Sequence, residues 1–151
     1  MLRVIHPKLY IKFMVDRRRI VFTLLLKQTA RFIGECWLQK MNMPNVKKMY
    51  PDDTDVRRID MSIGEKAYWG KGIGTIFIGM LVKYAFENKS VDVLHCLSED
   101  YNIRSRRVWE KNGFSLILTE EIPQPSKGRL QYHWRLTRAE YNERLVETTN
   151  M

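Results

Sequence analysis

The sequence predicts a mixed α/β fold, and three observations along the chain support this prediction. Residues 56–64 alternate apolar and polar side chains, as a half-buried strand does. The segment that follows Gly72 repeats apolar residues at intervals of three and four, which is typical of an amphipathic helix lying on a sheet. Residues 91–97 are a short apolar run, as expected of a strand covered on both faces.

The elements on either side follow from local signals. Strands are predicted at residues 20–27 and 32–41, whereas periodicity does not decide whether residues 9–15 end a helix or form a short strand. A second helix is predicted from Asn102, a capping residue, to the left-handed stop signal at 112–113. Further strands are predicted from residue 114 and over 130–136.

The C-terminal part is expected to complete the fold without adding chemistry. Thr137 and Glu140 form the pattern of a capping box and predict a last helix. His133, in the strand before it, is interpreted as a packed or exposed side chain and not as a catalytic one. A chain of 151 residues suits one sizeable core, so residues 1–151 are predicted to form a single domain.

Composition restricts the class of protein. The apolar fraction of 44% and the charged fraction of 28% are those of a globular protein. The sequence contains no long uncharged apolar segment, so neither a signal peptide nor a membrane span is expected. Cys36 and Cys96 both fall in predicted strands, where a thiol usually serves as a small core residue. Two cysteines alone build neither a metal site nor a disulfide framework, so no bound metal is expected. The protein is expected in the reducing cytoplasm.

The glycine-rich turn at residues 68–75 predicts an anion site. Gly70, Gly72 and Gly74 leave the backbone open, and the helix that follows directs free N–H groups into the turn, an arrangement suited to a pyrophosphate. A nucleotide-triphosphate loop is disfavoured because the spacing from Gly64 is one residue too long and a glycine stands where the metal-binding hydroxyl is needed. The dinucleotide fingerprint fails as well, since it would end on Thr75 or on residue 77.

Two motifs together resemble the GCN5-related N-acetyltransferases. The first is Gly72-x-Gly74 opening a helix, and the second is the pattern NxxSxxxWEKxGF over residues 102–114. The resemblance covers about residues 31–114 and implies acetyl-coenzyme A as co-substrate. It also implies a mostly antiparallel sheet with splayed parallel middle strands and helices on both faces. Within the family, residues 59–64 and 68–75 are most similar to the aminoglycoside 6′-N-acetyltransferase branch.

The resemblance implies a set of coenzyme-binding residues. The turn and first helical residues would hold the pyrophosphate, while Met61 and Ile63 would bind the pantetheine arm through their backbone. Asn102 and Ser105 either contact the coenzyme or cap the helix. Lys111 and either Arg106 or Arg107 could reach its 3′-phosphate, or they belong to a solvated face. The complete expected set is Met61, Ile63, Gly70, Lys71, Gly72, Ile73, Gly74, Thr75, Asn102, Ser105 and Trp109.

Asp60 is the expected catalytic base. Transfer to a primary amine by direct attack needs a group that accepts the amine proton near neutral pH. The alternative is an ordinary outward-facing carboxylate neutralised by Arg58. The usual acid of the family is a tyrosine where this chain has Trp109, whose indole donates hydrogen bonds but does not supply a proton. Tyr101 or solvent would then protonate the thiolate, and Trp109 would pack the helix on the sheet or line the coenzyme site.

The N-terminal part is shorter than the resemblance implies. Before the strand at 20–27 the family has one strand and two helices, and only residues 1–19 remain here. The first strand and first helix are therefore expected to be shortened or absent. Because that segment walls one side of the acceptor pocket, the pocket is either more open or closed by a partner chain, as in a homodimer.

Net charge bears on the partners. Lys and Arg number 26 against 17 Asp and Glu, which gives a formal charge of +9. Such a field attracts a polyanionic coenzyme and repels a polycationic drug, so an unspecified small-molecule amine remains the broader prediction. A nucleic-acid-binding module is disfavoured because the basic runs are dispersed. An inactive coenzyme-binding or scaffold protein remains an alternative because of Trp109 and the short N-terminal part.

Overall fold

The computed structural model describes residues 2–6, 8–15 and 19–150. In chain order the elements are β1 (Leu2–His6), β2 (Leu9–Val15), β3 (Arg19–Leu26), β4 (Phe32–Lys40), α1 (Pro44–Lys47), β5 (Val56–Ile63), a 3₁₀ turn (Lys66–Tyr68), α2 (Ile73–Asn88), β6 (Val93–Glu99), α3 (Ile103–Lys111), β7 (Ser115–Glu121), β8 (Leu130–Thr137) and α4 (Arg138–Thr149).

The described strands form one sheet whose middle is splayed. Its order is β1-β2-β3-β4-β5-β6-β8-β7, and β5 with β6 is the parallel pair among otherwise antiparallel neighbours. The parallel ladder joins residues 56–58 to residues 93–95 and extends no further. Both strands continue beyond it, so a gap opens between their carboxyl ends. The mixed α/β prediction with splayed middle strands is thus confirmed.

The main core lies between one face of this sheet and helices α2 and α3. Phe77, Leu81 and Ala85 on α2 are fully buried together with Ile59 and Leu94 from the two middle strands. Full burial of a large apolar side chain stabilises the fold by about 1.5–3 kcal/mol, so this stripe fixes α2 on the sheet.

The opposite face of the sheet is covered at one corner by the single-turn helix α1. Val46 of α1 packs there with Val56 and Val93, and Met41 completes this small second cluster. Helices therefore lie on both faces, as the resemblance implied.

The described N-terminal residues form two strands, β1 and β2. Residues 9–15 pair with β3 in antiparallel register, from Leu9 opposite Leu26 to Val15 opposite Ile20, so the helical alternative is wrong. Leu9 and Ile11 are buried by this pairing, which the local pattern could not reveal. Only three residues separate β2 from β3, and within the described residues no helix precedes β3. The described residues before β3 are thus strand in β1 and β2, so strand structure is present there where both the first strand and the first helix were expected to be shortened or absent.

The cysteines behave as core residues. Cys36 and Cys96 are free and buried, and burial raises the pKa of both thiols well above the ordinary value. They stay protonated and unreactive near neutral pH. A separate observation concerns membranes: none of the helices in the described part of the chain has the length and apolarity to span one.

Candidate active site

The glycine turn presents backbone donors at the start of α2. Gly70 and Gly72 adopt left-handed φ values of 71° and 76°, where a side chain would cost about 1–2 kcal/mol. The first bond of the helix runs from the Ile76 N–H to the Gly72 carbonyl at 3.2 Å, and no side chain caps the start. The N–H groups of Ile73 and its two successors therefore have no intrahelical carbonyl partner, as an anion site requires.

Gly74 allows three elements to meet closely. A Cβ at this position would lie 3.3 Å from the Met61 Cε on β5 and 3.4 Å from a Val108 methyl on α3. Asn112 ties the end of α3 to the first turn of α2, since its Nδ2 donates to the Thr75 carbonyl at 3.1 Å. The geometry of the glycine turn is thus held by packing from both sides.

A cleft of about 460 Å³ lies at this junction. We call it the coenzyme cleft. Most of the expected coenzyme-binding residues line it, whereas Lys71 and Trp109 do not. The Lys71 Nζ lies 6.0 Å from the ring centre of Tyr68, which does line the cleft. The lining residues are Met61, Ser62, Ile63, Tyr68, Trp69, Gly70, Gly72, Ile73, Gly74, Thr75, Asn102, Arg104, Ser105, Arg107, Val108 and Lys111.

The free edge of β5 faces this cleft. The Gly64 N–H donates to the Ile33 carbonyl at 3.0 Å, so Gly64 bonds toward β4. Because successive residues of a strand point their N–H and C=O groups to opposite sides, those of Ile63 and Met61 point into the gap beside β5. A ligand with amide groups can bind such an edge as an added strand does.

A second, smaller cavity of about 220 Å³ opens between the separated ends of β5 and β6. We call it the acceptor cavity. It shares Met61, Asn102 and Ser105 with the coenzyme cleft, so the two spaces meet at these residues. Its lining is mostly polar and consists of Arg58, Asp60, Met61, Leu97, Ser98, Glu99, Tyr101, Asn102, Ser105, Trp109 and Gln131.

Asp60 lies in the acceptor cavity and is already paired. The Arg58 guanidinium contacts both carboxylate oxygens, with Nε 2.9 Å from Oδ2 and a terminal nitrogen donating to Oδ1 at 3.1 Å. Gln39 donates a longer bond of 3.5 Å. The Asp60 side chain is 21% exposed. Asp60 thus lines the cavity and is also neutralised by Arg58, and its role as a catalytic base stays a prediction.

Trp109 is buried beside the acceptor cavity. The residue is 2% exposed and packs edge-to-face on Phe114, with ring centres 5.5 Å apart. Its Nε1 has no hydrogen-bond partner. The position thus combines helix packing with a donor that is desolvated and unpaired.

Tyr101 and Asn102 lie at the entrance to α3. Tyr101 lines the acceptor cavity and is 47% exposed, and the neighbouring Glu99 carboxylate raises the pKa of its hydroxyl. The Asn102 Oδ1 accepts from the Ser105 N–H at 3.1 Å and so caps the helix. Asn102 lines both spaces while acting as the cap.

A buried histidine pair was missed at the sequence level. His95 Nε2 and His133 Nδ1 are 2.9 Å apart, and His133 Nε2 lies 2.9 Å from a Glu120 oxygen. Burial, followed by the charge of His133, lowers the pKa of His95 to about 4. His95 stands opposite Arg58 in the sheet register. The partners are 38 residues apart in sequence, so no local pattern indicates the pair.

Within the described ranges, no three His, Cys, Asp or Glu side chains form a group that could hold a metal ion.

Comparison with known proteins gives a match to one family model. The model of the acetyltransferase (GNAT) domain matches residues 6–115 of this chain. A kanamycin resistance protein of Rhizobium radiobacter is 33% identical over 78 residues, which are 50% of this chain and 72% of that protein.

Solved structures share the fold. The aminoglycoside acetyltransferase AAC(6')-Ib, in complex with coenzyme A and kanamycin, superposes with a TM-score of 0.66 at 22% identity, covering 83% of this chain and 70% of that one. A ribosomal-protein-S5-alanine acetyltransferase from Vibrio fischeri gives 0.67 at 14% identity, over 82% and 63%. A chimeric spermidine N-acetyltransferase from Vibrio cholerae gives 0.64 at 17% identity, over 85% and 70%.

Proposed function

This chain belongs to the GNAT acetyltransferase family, whose co-substrate is acetyl-coenzyme A, and we propose that it acetylates the 6′-amine of an aminoglycoside. The kanamycin resistance relative and the complex of AAC(6')-Ib with kanamycin support the choice of acceptor. The sequence pattern at residues 59–64 and 68–75 supports the same branch.

One observation carries the proposal: the coenzyme cleft meets the acceptor cavity at Met61, Asn102 and Ser105. A coenzyme whose pyrophosphate lies on the glycine turn and whose arm follows the edge of β5 points its thioester toward this junction. Asp60 lies on the other side of it. Donor carbonyl, acceptor amine and base can thus meet in one place.

The residues present suit the coenzyme. The free N–H groups at the start of α2 bind the pyrophosphate, and Arg104, Arg107 and Lys111 add positive charge along the cleft. The backbone of Met61 and Ile63 offers hydrogen bonds to the two amides of pantetheine. The net charge of +9 favours the approach of this polyanion.

The reaction we propose is a direct attack. A primary amine resembling lysine titrates near 10.4 and so arrives protonated; it loses one proton to solvent before it attacks the thioester carbonyl, and Asp60 accepts the second as the amide forms. The new C–N bond forms, the C–S bond breaks, and the electron pair leaves with the sulfur as a thiolate. Tyr101 or solvent returns a proton to the sulfur. Trp109 lines the same cavity, and we assign its unpaired Nε1 as a hydrogen-bond donor to the sulfur that does not supply the proton.

The test is an assay of thiol release from acetyl-coenzyme A with a panel of acceptors. We expect turnover with an aminoglycoside that carries a 6′-amine and none with one in which a hydroxyl replaces that amine. Asp60→Asn keeps the shape but not the base, and should lower kcat/KM by about 100-fold or more while coenzyme affinity changes less than about twofold. Equal turnover of both aminoglycosides would overturn the acceptor, and an unaffected Asp60→Asn enzyme would remove Asp60 from the mechanism.

A second candidate function is coenzyme binding without transfer. The Arg58–Asp60 ion pair favours it, because the guanidinium already contacts both carboxylate oxygens and its positive charge opposes the binding of a cationic amine there. Calorimetry that shows coenzyme binding, with no thiol release for aminoglycosides, polyamines, amino acids or peptides, would establish this alternative.

We further propose that residues 1–151 act as one domain in the cytoplasm. The continuous sheet and main core support one domain, and the two free buried cysteines suit a reducing compartment. A homodimer that closes the acceptor cavity stays a prediction.

A further inference from the structure

Trp69 lines the coenzyme cleft and occupies a backbone hydrogen-bond acceptor on the strand edge that the pantetheine arm needs. Its Nε1 donates to the Ile63 carbonyl at 2.7 Å. Trp69 and Ile63 both line the cleft. The carbonyl belongs to the side of β5 that points into the gap, as the bond from Gly64 to Ile33 established.

The indole is held from the far side of the cleft. The Arg104 guanidinium carbon, on the first turn of α3, lies 4.9 Å from the centre of the Trp69 ring. The Lys66 ammonium lies 5.9 Å from the same centre. Trp69 itself belongs to the connection between β5 and α2 and is 37% exposed. The contact with Arg104 therefore links this connection to α3 over the cleft.

We propose that Trp69 gates the cleft and sets the affinity for the pantetheine arm of the coenzyme. An amide N–H of pantetheine needs a strand carbonyl as its acceptor, and the indole N–H competes for the one at Ile63. Because Trp69 itself lines the cleft beside this carbonyl, binding of the arm displaces the indole and rearranges its contact with Arg104. The nucleotide end of the coenzyme binds the glycine turn and does not compete with the indole.

Trp69→Phe tests this directly, because it removes the N–H and keeps an aromatic ring. We expect the dissociation constant of coenzyme A, measured by calorimetry, to fall about threefold to tenfold, which corresponds to the net free energy of one hydrogen bond. Stopped-flow binding should show that most of this change is faster association. Adenosine 3′,5′-bisphosphate lacks the pantetheine arm, and its dissociation constant should stay within about twofold. Trp37→Phe is the matched control, since Trp37 lines neither space, and it should leave both constants unchanged.

A second variant keeps the proposal testable if Trp69→Phe proves unstable. Arg104→Lys retains the positive charge beside the anionic coenzyme but loses the planar group that stacks on the indole. It should also speed the association of coenzyme A relative to adenosine 3′,5′-bisphosphate. Thermal unfolding of each variant verifies that the fold is intact.

The inference rests on coenzyme binding at this cleft, and the wild-type measurement separates the two failures. If the wild-type protein binds no coenzyme A, both the proposed function and the gate are wrong. If it binds and Trp69→Phe leaves its affinity unchanged or weaker, the gate alone is wrong. An equal change for coenzyme A and adenosine 3′,5′-bisphosphate would likewise overturn it, because the effect would then not concern the pantetheine arm.

Discussion

The coenzyme cleft and the acceptor cavity are built from different parts of the chain. The cleft is formed by the end of β5, the consecutive residues around Gly72, the first turn of α2 and one side of α3, and its anion site consists of backbone N–H groups. The acceptor cavity is formed by side chains from β5, β6, β8 and the start of α3, among them the paired Arg58 and Asp60. Backbone donors keep their charge state at any pH, whereas the side chains around the cavity include groups that titrate.

Acid should strongly affect the sheet beside the acceptor cavity through His95, which stands opposite the cavity residue Arg58 in the sheet register. Its pKa of about 4 in the folded protein compares with 6.5 for an ordinary histidine, so the unfolded chain binds the proton more tightly. Stability is then full above about pH 6.5 and is lost as the pH falls toward 4. The loss is on the order of 3 kcal/mol in the free energy of unfolding.

Urea unfolding near pH 7 and near pH 4 measures this loss. His95→Gln lacks the titrating ring, so the difference between the two pH values should be smaller in the variant than in the wild type. The carboxylates titrate in both proteins and cancel in the comparison. The proton resonances of the His95 ring give an independent check, since they should hardly shift above about pH 5. A ring that titrates near its ordinary pKa would contradict the prediction.

The cleft should respond instead to changes in the backbone, and Gly72→Ala gives the next largest effect. A methyl group at the left-handed Gly72 would meet no protein atom within 4 Å, so it would project into the open cleft. We expect a loss of stability of about 1 kcal/mol and about a tenfold increase in the dissociation constant of acetyl-coenzyme A. Calorimetry measures the second effect and thermal unfolding the first.

Gly64→Ala is the matched control for Gly72→Ala. Gly64 does not line the cleft, and an added Cβ there would lie 3.9 Å from the nearest atom, the Ile33 carbonyl oxygen. Coenzyme affinity should change less than about twofold in this variant. Equal losses for the two alanine variants would show that the cleft is not sensitive at Gly72.

The same contrast explains what could be predicted from sequence. The strand, turn and helix around Gly72 follow from local patterns, as do the Asn102 cap and the capping box of Thr137 and Glu140, and the structure has all of them. Residues 9–15 stayed undecided because their pairing with β3 is a tertiary contact that periodicity does not contain.

The side chains that converge from distant elements were harder to predict. The pairing of His95 with His133 joins two strands that are adjacent in the sheet but not in the sequence. The stacking of Arg104 on Trp69 likewise depends on how α3 packs beside the connection from β5 to α2. The Arg58–Asp60 pair was anticipated as an alternative because its members are two residues apart on one strand and so share a face.

Arg58→Gln tests whether that ion pair limits the acceptor cavity, and its expected effect is the smallest. Removing one positive charge beside the proposed amine site should lower the KM for a polycationic aminoglycoside about fivefold at low salt, since two charges about 4 Å apart in water interact by about 1 kcal/mol. The gain should shrink as salt is added, and coenzyme affinity should not change. Arg57→Gln is the control, because Arg57 pairs with Asp55 and lines neither space. If the KM instead rises in Arg58→Gln alone, Arg58 holds Asp60 in position for the acceptor and does not compete with it.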